Sequence, residues 1–145
     1  MQRQNIIDLS LIELEKFCVE LGLKPFKAKQ IWNWIYCFGK TNFQEMTNLD
    51  KKTRELLNEY SYIFRPKINS VHESNDGTIK WLLEMDDKSL IETVFIPQGK
   101  RGTICISSQV GCTLNCTFCN TGTQKLVRNL STYEILGQIF TVIDH

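Results

Sequence analysis

Long apolar runs are missing from this chain. The best candidates, such as Ile31 to Phe38, are broken by polar residues. They fall well short of the ~18–20 residues that a membrane helix requires. A signal-peptide core is missing too, because Met1-Gln2-Arg3-Gln4-Asn5 leads into Ile6-Ile7-Asp8 and the acid interrupts it. The expectation is a cytoplasmic protein with no membrane partner. An excess of one charge is also absent: 17 basic side chains face 16 acidic ones, a net charge of +1. That excludes a globally basic nucleic-acid binder and leaves room for a local basic face. Internal repeats and low-complexity tracts are lacking. With 42% hydrophobic and 23% charged residues, the chain is neither disordered nor collagen-like.

What is present is a chain of 145 residues, enough for one ordinary domain or a small domain plus a piece of another. A chain this long can bury roughly two-thirds of its unfolded surface, so disulfides are not needed to hold a core. The cytosol disfavours disulfides in any case. The six cysteines need another explanation.

Residues 1–62 read as a helical domain. Ser10 and Glu13 form a capping box, and Leu11, Leu14, Phe17, Cys18 and Leu21 follow at helical spacing up to Gly22. A second helix fits Phe26 to Phe38, with Ile31, Trp34, Ile35 and Phe38 as its apolar stripe and Gly39 as its stop. A third covers Lys51 to Tyr60, with Leu56, Leu57 and Tyr60 inward. The pattern changes at Phe64-Arg65-Pro66, because proline disfavours helix at the residue before it. Residues 63–145 read as β-rich at first: Lys67 to Glu73, Ile79 to Met85, Leu90 to Pro97 and Thr103 to Val110. Asn75-Asp76-Gly77 is a hairpin signal. A loop then runs from Gly111 to Asn129. A second capping box, Ser131 with Glu134, opens a helix through Ile135, Leu136, Ile139, Phe140 and Ile143. The fold class is α+β, and the strand–loop–helix ending is the opening of a βα unit.

That loop holds Cys112, Cys116 and Cys119, spaced C-x3-C-x2-C. Three thiolates on one short loop after a strand can converge on one soft metal centre. A cubane iron–sulfur cluster normally takes four protein ligands. Three would leave one iron open for a small molecule. Structural zinc is an alternative and would want a fourth ligand, for which Cys105 is poorly spaced and His72 distant. Simple buried or redox-active cysteines are a further alternative. Cys105 read alone is a packing residue of a strand, and Glu92 read alone is a solvated face residue. Residues 24–40 carry Lys24, Lys27, Lys29 and Lys40 among aromatics and no acid. Such cations can neutralise phosphates, and aromatics can stack on unpaired bases. Lys100-Arg101, Lys125 and Arg128 are further basic candidates.

The spacing C-x3-C-x2-C, with Phe118 before the last cysteine, resembles the radical S-adenosylmethionine superfamily. The wider runs Glu92-Thr93-Val94-Phe95-Ile96-Pro97, Cys105-Ile106-Ser107-Ser108-Gln109-Val110-Gly111-Cys112, Arg128-Asn129-Leu130 and Glu134-Ile135 are similar to the RlmN/Cfr RNA methyltransferases, and more so to the RlmN branch. The resemblance covers essentially the whole chain but only about the first two-fifths of such an enzyme. It implies a small N-terminal helical domain that helps hold RNA, a β-rich connector, and the first βα unit of a truncated partial (β/α) barrel. It implies that Cys112, Cys116 and Cys119 hold a [4Fe-4S] cluster, with Phe118 in the cofactor site, and that the open iron binds S-adenosylmethionine. Reductive cleavage to a deoxyadenosyl radical would then drive methylation of adenine C2 in large-subunit rRNA and tRNA. A reducing donor such as flavodoxin would supply the electron. Cys105 matches a second catalytic cysteine that helps release product, and Glu92 matches an acid–base glutamate. Lys24, Lys27, Lys29 and Arg128 become candidate RNA contacts.

The family's methyl-accepting cysteine and most of its barrel are absent from this sequence. The chain alone is therefore expected to be inactive. It would be a fragment, a truncated product, or half of a split enzyme whose second chain carries the rest of the barrel. Two rivals belong to other classes: a non-catalytic RNA-binding remnant, and a small iron–sulfur or zinc protein.

Overall fold

The computed structural model describes residues 3–114 and 121–145. The chain divides into two compact units, Met1–Phe64 and Arg65–His145. It mixes helix and sheet, in keeping with the α+β expectation. No helix among the described residues is long and apolar enough to cross a membrane.

In the first unit, strand β1 (Gln4–Asn5) leads through a 3-10 turn to helices α1 (Leu11–Glu20), α2 (Phe26–Tyr36) and α3 (Lys51–Tyr60), then to strand β2 (Ser61–Tyr62). Two of these helix starts, those of α1 and α3, are capped by side chains. The Ser10 hydroxyl accepts from Glu13 N–H, while Glu13 accepts from Ser10 N–H at 2.8 Å. Asp50 caps α3 by accepting from Thr53 N–H at 3.0 Å. Leu14, Phe17, Ile31, Ile35, Met46 and Leu57 make the buried core.

Two features depart from the sequence reading. β1 and β2 pair in parallel, which helical periodicity did not suggest. The Arg3 guanidinium donates to Ser61 C=O, and Asn5 Oδ1 accepts from Phe64 N–H, so both strands are tied to the unit. Phe38 is not in the core. α2 stops at Tyr36, and Phe38 and Cys37 both donate their N–H to Asn33 C=O. This closing turn swings Phe38 out to 63% exposure, with its ring against Trp34.

The second unit is built on an antiparallel meander: β3 (Lys67–Glu73), β4 (Ile79–Glu84), β5 (Leu90–Gln98) and β6 (Arg101–Cys105). Alternation sends Trp81, Leu83, Ile91 and Thr93 to a buried face, where helix α4 (Thr132–Asp144) lies. The expected strand Thr103–Val110 is in fact two pieces. β6 ends at Cys105, and a separate β7 (Gln109–Val110) pairs antiparallel with β8 (Arg128–Asn129). The break has a cause in Ser107. Its N–H donates to Gln138 Oε1 and its C=O accepts from Gln138 Nε2, both at 2.8 Å, so neither group can continue the ladder. The parallel start of a barrel is not seen among the described residues.

The root of the cysteine loop is held by backbone. Val127 N–H donates to Val110 C=O, and Cys112 N–H to Gln124 C=O. Gly111 between them has φ +76°, and a Cβ there would run into the Lys125 carbonyl. Only glycine combines that left-handed backbone with so close an approach. Gly111→Ala is expected to destabilise the second unit by about 2–4 kcal/mol, the sum of left-handed strain and overpacking. A urea midpoint equal to that of the unsubstituted chain would contradict this.

Candidate functional site

Sheet register places two candidate residues on one face. β4 and β5 pair Leu82 with Glu92, and Lys80 with Val94. β5 and β6 pair Val94 with Cys105. Paired residues share a face, as do residues two apart along a strand. Glu92, Leu82, Lys80, Val94 and Cys105 therefore line the face opposite Trp81 and Thr93. Glu92 is ion-paired with Lys80 at 3.0 Å, and its backbone carbonyl accepts from the Ser107 hydroxyl at 2.7 Å. Cys105 is an exposed free thiol at the end of β6.

Beside Glu92 lies a cavity of about 270 Å³ walled by Leu82, Leu90, Ile91, Ser107, Gln109, Gly111 and Gln124. One wall is thus the root of the cysteine loop. Cys112, the next residue after Gly111, is half-buried, and its sulfur accepts the Leu114 N–H at 3.4 Å. A metal-ligating thiolate takes the same acceptor role toward surrounding amides. Cys112 therefore fits a cluster ligand. Cys116, Phe118 and Cys119 lie outside the described residues. The other cysteines differ: Cys18 is buried, which pushes its thiol up to about 11, and Cys37 is exposed at the end of α2.

Sequence reasoning missed Gln138, which is fully buried. Besides its two bonds to Ser107, its Oε1 accepts from the Thr93 hydroxyl at 2.8 Å and its Nε2 donates to Glu134 C=O at 3.3 Å. The amide thus joins α4 to β5, one residue from Glu92, and to the segment that follows Cys105. A glutamine four residues after a capping-box glutamate was the only local signal.

The candidate RNA cations fare differently. Lys24 and Lys29 are exposed. Lys27 is largely covered and ion-paired with Asp50 at 2.8 Å. That bond, with those from Thr53, holds the Asp50 carboxyl well below its usual range. Arg128 is committed to a network. Its guanidinium grips both oxygens of Glu134, at 2.7 and 2.8 Å, and also reaches Asp87 at 2.7 Å. Arg128 is thus engaged within the fold rather than presented as an unengaged cation.

Glu134 is almost fully buried, and it also closes the capping box by accepting from Ser131 N–H. The Arg128 guanidinium holds its carboxyl below the ordinary carboxylate range. With a depressed folded value, Glu134 contributes fully above its unfolded pKa, and that contribution is lost as pH falls through the folded one. Arg128 stays charged throughout. Arg128→Met leaves a buried carboxylate unpaired, at a cost of about 2–3 kcal/mol near pH 7 after allowance for the partly exposed guanidinium. The gap between variant and parent should be narrower at acid pH than at pH 7, because the parent loses that contribution as pH falls through the depressed value of Glu134. Urea titrations at both pH values check this, and an equal gap at both would contradict it.

Three comparisons bear on identity. Residues 4–63 match the family model for the ribosomal RNA large subunit methyltransferase N-terminal domain. Over 140 residues, 97% of this chain, the sequence is 48% identical to the dual-specificity RNA methyltransferase RlmN of Rhodospirillum rubrum, and the match takes in 33% of that protein. The fold superposes on the crystal structure of a radical SAM methyltransferase from Sphaerobacter thermophilus with a TM-score of 0.86 and 34% identity, over 95% of this chain and 41% of that one. The chain spans about a third of the length of the curated relative it matches. In its N-terminal domain, its sequence and its fold, this chain is similar to the N-terminal part of RlmN-type methyltransferases.

Proposed function

We propose that this chain is the N-terminal part of a radical S-adenosylmethionine RNA methyltransferase acting on adenine C2 in large-subunit rRNA and tRNA. The observation that carries the reading is the shared face of Glu92 and Cys105, beside a cavity walled by the root of the cysteine loop. Cys112, Cys116 and Cys119 would hold a [4Fe-4S] cluster. With S-adenosylmethionine bound, the cluster supplies one-electron chemistry that a protein side chain cannot.

The chain's own residues have simpler work. Glu92, held by Lys80 at the edge of the cavity, can pass a proton to or from a base seated there. Cys105 offers a thiol on the same face. Leu82 and Leu90 give the cavity an apolar side on which an adenine can rest. Lys24 and Lys29 offer exposed cations to phosphates. Phe118 joins the cofactor site by its place in the motif. A cytoplasmic setting with a flavodoxin-like electron donor fits this chemistry, and the rest of the barrel would come from further chain or from a second one.

Anaerobic reconstitution tests the cluster directly. Iron and sulfide should bind at about four each per chain, with the broad visible absorbance of a cubane. Cys112→Ala, Cys116→Ala and Cys119→Ala should each abolish it. One zinc per chain with no iron would overturn the reading.

A further inference from the structure

Gln138 is a fully buried polar side chain of the second unit that makes four hydrogen bonds and that the proposed chemistry leaves without a role. It lies on α4, on the covered side of the sheet, and is not among the residues that wall the cavity. Its amide nevertheless clasps the Ser107 backbone at both N–H and C=O, as a strand partner would. Ser107 in turn donates its hydroxyl to the backbone carbonyl of Glu92. The same glutamine accepts from Thr93, the neighbour of Glu92. One buried amide therefore fixes both the strand bearing Glu92 and the turn just after Cys105. That turn leads through β7 into Gly111 and Cys112.

We propose that Gln138 is a positioning residue, which sets Glu92, Cys105 and the root of the cysteine loop in register with one another through Ser107. Ending β6 at Cys105 leaves the thiol at a strand terminus instead of mid-ladder. Redirecting the chain at Ser107 makes the cavity wall shared by Ser107, Gln109 and Gly111. A fully buried amide with every polar atom engaged has one low-energy arrangement, and a loose one would leave unpaired groups in the interior. Misplacement of reacting groups by about 1 Å can cost about 100-fold in rate. This role rests on the assignment of Glu92 and Cys105 to the reaction.

The test uses the full-length enzyme that contains this segment. Gln138→Met keeps the side-chain length and removes all of the amide's hydrogen bonds. Hydrogen exchange at the Ser107 amide, iron content, residue-resolved alkylation of Cys105 by iodoacetamide in the cluster-free protein, and kcat and KM for RNA are compared with the parent. The expected result is an unprotected Ser107 amide, unchanged iron, and KM within about twofold. Cys105 alkylation should change by about threefold or more, and kcat should fall about 10- to 100-fold. A parental kcat with Ser107 unprotected would overturn the role. So would parallel loss of iron, KM and thermal stability, which marks general loosening. If Gln138→Met fails to fold, Ser107→Ala removes only the link to the Glu92 carbonyl. A lower kcat at full iron content then supports the role, and a parental kcat overturns it. If the parent itself transfers no methyl group, the reading of the reaction fails, and Cys105 alkylation decides the positioning claim alone: a changed rate supports it and an unchanged rate overturns it.

Discussion

The second unit turns on the capture of the Ser107 backbone by the Gln138 amide. A β-strand continues when its N–H and C=O groups find a neighbouring strand. At Ser107 both groups find a helix side chain instead. The sheet ends there, and the chain is sent toward the cysteine loop. Everything proposed for the site follows from that redirection: a thiol at the end of β6, a carboxylate diagonal to it on β5, and a cavity bounded by the loop root. The interaction is local in space and remote in sequence, its partners lying 31 positions apart.

The helix that supplies the amide is itself held at its first turn. Glu134 serves twice, closing the capping box with Ser131 and receiving the Arg128 guanidinium. Arg128 sits on β8 and also pairs with Asp87 in the turn between β4 and β5. Gln138 lies one turn further along α4, and its Nε2 returns a hydrogen bond to the Glu134 carbonyl. Charge pairing at the helix start and amide capture one turn later thus act on the same element. Loss of either loosens the support of the other, so their effects should not simply add.

Much of this was legible in the sequence where the cause is local. The Ser10–Glu13 and Ser131–Glu134 boxes each need only four neighbouring residues, and both formed. Gly77, closing the Asn75-Asp76-Gly77 turn, takes a positive φ that L side chains rarely adopt. The C-x3-C-x2-C spacing is likewise readable, although only Cys112 of its three cysteines falls within the described residues. What escaped depends on distant partners. Thr103 to Val110 has the composition of one strand, and nothing within it announces that Gln138 will divide it. The parallel pairing of β1 with β2 joins the two ends of the first unit. Lys27 and Arg128 look like available cations until Asp50, Asp87 and Glu134 are brought beside them. Phe38 has the right spacing for the core, but the helix unwinds before reaching it.

The central claim is that this segment belongs to an enzyme that methylates adenine C2 in RNA. Nucleoside mass spectrometry of rRNA and tRNA from cells lacking the gene tests it most directly. The account predicts loss of 2-methyladenosine, restored by the intact gene and not by a copy carrying Cys112→Ala. Unchanged 2-methyladenosine in the deletion strain, or a loss confined to adenine C8, would contradict it.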